Sequence, residues 1–151
     1  MNEKVEKIEI KNGRYEFKDR VCWYKNGRFH REDGPAIEYS SGGKEWWFHG
    51  KQHREDGPAV IIPNGQEIYF INGEHHRLDG PAIINLEDGA VSKMFGKEIW
   101  KFNGLFHRED GPAVTYPDGK EEYWLFDKQY SKEDFLKYYE SLDTKKSKLK
   151  K

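Results

Sequence analysis

The heptapeptide His-Arg-Glu-Asp-Gly-Pro-Ala occurs at residues 30–36, 53–59 and 107–113, and with Leu in place of Glu at residues 76–82. A chain that repeats a signature at a regular period is restricted to an array of like units, each burying its apolar face against its neighbours. The signature histidines are spaced 23, 23 and 31 residues apart, so the last step holds an insertion, placed within residues 85–97. Each unit reads as an aromatic residue, a short run, Asn-Gly, the signature, a β-branched run, a Gly turn, and the aromatic again.

Aligning the units gives columns. Trp23, Trp46, Tyr69, Trp100 and Tyr123 share one position, followed by Tyr24, Trp47, Phe70, Lys101 and Trp124, and then by Lys25, Phe48, Ile71, Phe102 and Leu125. After the signature, Ile37, Val60, Ile83 and Val114 form a β-branched column. Aromatic and β-branched runs bounded by Gly, Asn, Asp and Pro are strands. "SSGGK" (40–44), "PNGQ" (63–66) and "PDGK" (117–120) supply the turns inside a unit, with Gly providing positive φ. The expected fold is mainly β: an antiparallel meander of repeated β-hairpins, with the longer connection from Asn26-Gly27 to Pro35 and its counterparts joining successive hairpins.

Both ends depart from the period. Residues 14–25 are a degenerate opening hairpin, the repeats occupy about residues 26–130, and a helix is expected over about 132–142. Ser131 followed by Asp134 is a capping box, and Phe135, Tyr138, Tyr139 and Leu142 fall on one helical face. That helix would cap the array within a single domain, 1–144. Residues 145–151 (KKSKLKK) read as a disordered tail.

The tail contains five lysines; the remaining body carries 21 basic against 27 acidic side chains. A negative body lacks the clustered Lys and Arg that a nucleic-acid face needs. The one cysteine, Cys22, excludes an intramolecular disulfide and fits a reducing, cytoplasmic setting. No apolar run reaches the ~20 residues of a membrane span, and the polar N-terminal stretch is unlike a secretory signal.

The signature has the residue types of an active site and also those of a turn. Asp33-Gly34-Pro35, Asp56-Gly57-Pro58, Asp79-Gly80-Pro81 and Asp110-Gly111-Pro112 are assigned structural work. The Asp accepts hydrogen bonds in its loop, the Gly permits special backbone angles, and the Pro stiffens entry to the strand. Each Arg lies two residues before an Asp, within reach of a carboxylate in its own or a neighbouring loop. Each His is expected to pack on the aromatic column and bond a carbonyl. No Ser or Cys recurs beside the signature, so a catalytic triad is disfavoured. Successive histidines lie two strand spacings apart, about 9–10 Å, too far to share one metal ion, so no metal or cofactor is expected. The collective reading assigns binding to a ladder: His30, Arg31, His53, Arg54, His76, Arg77, His107 and Arg108, with Trp46, Trp47, Trp100 and Trp124.

The unit W/Y-x-x-N-G-x-x-H-R-x-D-G-P-A resembles tandem repeats of small proteins from bacteriophages and giant viruses, and "LFDKQYSKEDF" resembles the way such arrays end. More distantly it is similar to the membrane occupation and recognition nexus (MORN) repeats. The resemblance covers about residues 20–135 and implies a MORN-like hairpin sheet used for interaction. MORN repeats have a glycine pair where this chain has His and Asp-Gly, so their lipid binding is not implied. The expected function is a non-enzymatic scaffold that binds a protein, as a viral accessory protein acting on a host defence factor in the host cytoplasm, with self-association a further form of the same reading. The alternative is a sponge for an anionic, nucleotide-like molecule.

Overall fold

The computed structural model describes residues 10–63, 65–84 and 97–148, with side chains described to residue 142. The insertion therefore lies outside the described residues except for Lys97, and so do residues 149–151. Among the described residues the fold is mainly β, an open antiparallel meander with one C-terminal helix and no closed barrel. The main sheet runs Gly13–Glu16, Arg20–Lys25, Ile37–Tyr39, Lys44–Glu45, Val60–Ile61, Glu67–Ile68, Ile83–Ile84, Glu98–Ile99, Val114–Thr115, Glu121–Leu125 and Lys128–Tyr130, each strand pairing with the next.

One row crosses the sheet. Cys22 faces Ile37, then in turn come Glu45, Val60, Ile68, Ile83, Ile99, Val114 and Glu122, each opposite the next. Directly opposed residues share a sheet face, so the β-branched column forms a single apolar stripe. Cys22, Ile37, Val60, Ile83, Ile99 and Val114 are all buried. The two glutamates are satisfied locally. Glu45 accepts from the Tyr39 hydroxyl and Trp47 Nε1, both at 2.8 Å. Glu122 accepts from the Tyr116 hydroxyl at 2.7 Å and Trp124 Nε1 at 3.2 Å.

The connection between hairpins is not one long loop. Its first part is a two-stranded side ribbon: Arg28–Phe29 on the end of Arg20–Lys25, Trp47–Phe48 with Lys51–Gln52, Phe70–Ile71 with Glu74–His75, and Lys101–Phe102 with Leu105–Phe106. The ribbon turns are Asn26-Gly27, His49-Gly50, Asn72-Gly73 and Asn103-Gly104, and Phe126-Asp127 occupies the same place at the end of the array. In all five both central residues have positive φ, from 47° to 85°, as tight hairpins matching the strand twist require. Neighbouring ribbons are joined by backbone bonds, such as Gly50 N–H to the Phe29 carbonyl at 2.9 Å and Gly73 N–H to the Gln52 carbonyl at 2.8 Å.

The helix spans Lys132–Lys148, running past residue 142 into the lysine-rich stretch. Ser131 Oγ accepts from Asp134 N–H at 3.1 Å, which completes one half of the capping box. Phe135 is 2 % exposed, against Tyr123 and Leu125. The expected apolar face is only partly used: Tyr138 and Tyr139 are exposed. No helix among the described residues is long and apolar enough to cross a membrane.

Candidate binding groove

Each signature forms a seven-residue loop whose two ends are fastened to one residue, the aromatic at the head of the unit. Trp23, Trp46, Tyr69 and Trp100 donate their N–H to the signature Ala carbonyl at 2.7–2.8 Å, and their carbonyls accept from the signature His N–H at 3.0–3.3 Å. The alanines (Ala36, Ala59, Ala82 and Ala113) are 0 % exposed, so a larger side chain has no room there.

The arginine is the rivet. Arg31, Arg54, Arg77 and Arg108 lay their guanidinium groups 4.0, 4.1, 4.1 and 3.9 Å over the rings of Trp23, Trp46, Tyr69 and Trp100. Each Nε donates to the Asp of its own loop at 2.7–3.0 Å, and each Nη1 to its own Pro carbonyl at 3.2–3.4 Å. The neighbouring loop is not involved. The bond from Arg holds the carboxyls of Asp33, Asp56 and Asp79 below the usual carboxylate range.

Two expectations for the signature are corrected. Gly34, Gly57, Gly80 and Gly111 do not adopt positive φ. They are small because the arginine lies on them: a Cβ would sit 3.1, 3.0, 2.6 and 3.1 Å from the guanidinium carbon. Among the described residues the signature histidine rings do not bond carbonyls. His30, His53, His76 and His107 use Nδ1 to accept the backbone N–H of the next ribbon turn, at His49, Asn72, Asn103 and Phe126, over 3.0–3.3 Å. At His76 the same nitrogen is 3.0 Å from Asn103 Oδ1, so either tautomer finds a partner. Asn12 Oδ1 does the same work for Asn26 N–H at 2.7 Å, ahead of the first signature.

The tryptophans of the expected ladder are divided between the two faces. Trp46 and Trp100 lie under Arg54 and Arg108 on the signature side, whereas Trp47 and Trp124 reach the glutamates of the buried row. Of the remaining ladder residues all but His30, which is 6 % exposed, line clefts between the loops. Three clefts lie between successive loops: one of about 610 Å³ with Trp46, Phe48 and His53, one of about 720 Å³ with Tyr69, Ile71 and His76, and one of about 440 Å³ with Trp100, Phe102 and His107. Consecutive clefts share a loop as a wall. The arginine side chains are only 22–24 % exposed, while their aspartates are 66–86 % exposed, so a ligand entering the groove meets carboxylates before guanidinium groups.

Sequence reasoning passed over Leu78 and Phe126, which are 76 % and 57 % exposed. Both break the repeat, Leu78 standing where three loops have Glu and Phe126 where three ribbon turns have Asn. Among the described residues no three His, Cys, Asp or Glu side chains gather as metal ligands would. No protein family, curated protein or solved structure matches the chain.

Proposed function

We propose that this chain is a non-enzymatic binding scaffold whose signature face takes a protein partner. The observation that carries this reading is the division of labour within the signature. Its Arg, Asp, Gly and His side chains are spent on fastening loops and docking ribbons, while the clefts between the loops stay open and partly apolar. Exposed apolar surface rimmed by polar groups is the usual mark of an interface. The resemblance of the repeat unit to phage and giant-virus arrays supports the narrower reading, a viral accessory protein that binds or inhibits a host defence factor in the host cytoplasm.

A second reading, the anionic sponge, is favoured by cleft volume: 440–720 Å³ falls within the range of small-molecule sites. The exposed carboxylates count against it. A nucleotide that raised the melting temperature by several degrees would restore it.

The test is affinity capture from the native host with the wild-type chain and with Glu55→Arg/Glu109→Arg, which reverses charge on two loop tips without touching the rivets. A single dominant protein captured by the wild type and lost with the variant supports the signature face as the interface. A partner held equally by both overturns that placement.

A further inference from the structure

The chain supplies its own internal comparison, because four signature loops and five ribbon turns fill the same positions. Several differences between copies put an apolar side chain on the surface, Leu105 among them at 37 % exposed. The two most exposed meet at the cleft between the third and fourth loops, where Leu78, which also borders the cleft on its other side, faces Phe126. Leu78 replaces a glutamate at a loop tip and is more exposed than any other large apolar side chain among the described residues. Phe126 replaces asparagine at the first residue of a ribbon turn and takes φ 48°, a conformation that Asn adopts readily and a bulky side chain adopts at a cost. Its ring stacks on His107 at 3.9 Å and meets Phe102 edge-on at 6.4 Å. A strained backbone carrying an exposed ring is what a fold retains for a reason other than stability.

We infer that this third cleft is the anchor of the partner interface, and that it receives one large aliphatic or aromatic side chain from a cationic segment of the partner protein. The apolar half of the inference rests on Leu78, Phe102 and Phe126. The cationic half rests on charge complementarity: Arg77 and Arg108 also line this cleft, but each is 23 % exposed and paired with the aspartate of its own loop, so the carboxylates stand outermost. Glu109, 63 % exposed, stands on one wall and is 3.8 Å from His107 Nε2, with Asp110 beside it at 66 %. Glu55 and Asp56 continue the acidic rim into the neighbouring cleft. This inference rests on the proposed binding function and names the chemistry of the partner.

Two substitutions test it without harming the fold. Leu78→Glu gives the third loop the sequence of the other three, and Phe126→Asn gives the last turn the residue found at three others. A phage-displayed library of random dodecapeptides is selected on the wild-type chain. The expected sequences carry several Lys or Arg around one large apolar residue. Synthetic peptides made from them should bind each variant at least tenfold more weakly, while both variants melt at or above the wild-type temperature. The inference is overturned if no peptide is recovered, if recovered peptides are acidic or lack an apolar residue, or if both variants bind as well as the wild type. Sedimentation of the wild type against a chain ending at Thr144 completes the test. Self-association lost on that truncation would assign the cleft to a second copy's KKSKLKK segment instead. A host protein that is lost with Glu55→Arg/Glu109→Arg but kept by Leu78→Glu and Phe126→Asn would leave the signature-face reading standing and sink the anchor alone.

Discussion

At the scale of single residues, the signature is organised around where one guanidinium group goes. Arg77 has three kinds of partner: the Tyr69 ring, the Asp79 carboxylate and the Pro81 carbonyl. Such a group keeps these partners only if no side chain at residue 80 crowds it, which is why the fifth signature residue is Gly although it does not adopt positive φ. The consequence is a coupling that can be measured. A methyl group at residue 80 would sit 2.6 Å from the Arg77 guanidinium carbon and must push it off these partners. Gly80→Ala should therefore cost about 1–2 kcal/mol by urea denaturation. With Arg77→Ala already present, the same change should be neutral, or stabilising by about 0.5 kcal/mol, because Ala restricts the unfolded chain more than Gly does. An additive double mutant would show that the guanidinium is not what excludes the methyl. Gly57→Ala, with its Cβ at 3.0 Å from the Arg54 carbon, should rank below Gly80→Ala.

At the scale of elements, the ribbon and the loop act together: the loop histidine of one unit caps the turn of the next. Asn72 shows the dependence, since it adopts φ 52° and donates its N–H to His53 Nδ1 at 3.1 Å. Asn72→Ala should destabilise by about 1 kcal/mol, the cost of left-handed backbone for a residue with a Cβ but no compensating polar group. Asn72→Gly should stay near the wild type. Equal melting temperatures for the two variants would mean that this turn adds nothing to stability. The sequence shows the elements well and their joints poorly. Strand runs, Gly turns and the capping Ser131 follow from alternation and local turn chemistry. The side ribbons do not, because Asn-Gly followed by the signature reads equally well as one long loop. Whether Trp46 and Trp47 look the same way depends on strand alternation, so a ladder listing both could not have been one surface. The residues that meet at the third cleft, Leu78 and Phe126, were visible in the sequence only as departures from the repeat. Their shared location needed the fold, since 48 residues separate them along the chain.

At the scale of the whole molecule, the array is a stack in which each rung pairs only with the one before and the one after. Its apolar row from Cys22 to Val114 is largely buried, with Phe106 of a side ribbon and Trp124 among the side chains packed against its Ile83, Ile99 and Val114 part. In such a stack stability is a sum of unit and nearest-neighbour terms, and the ends are the weak places. The C-terminal end is closed by the helix through Phe135, whose ring lies 4.9 Å from Tyr123. Removing that side chain takes away most of what holds the helix to the sheet. Phe135→Ala should cost about 3–4 kcal/mol locally, a large part of the 5–15 kcal/mol typical of a whole domain. If neighbours alone communicate, the loss stays near the cap. Hydrogen exchange should then quicken first in the last two strands, Glu121–Leu125 and Lys128–Tyr130, next in Val114–Thr115, and leave the Arg20–Lys25 and Ile37–Tyr39 pairing close to wild-type protection. Protection lost evenly from Arg20 to Tyr130 would show instead that the sheet opens as one cooperative unit, with the apolar row from Cys22 to Glu122 transmitting the loss across every rung.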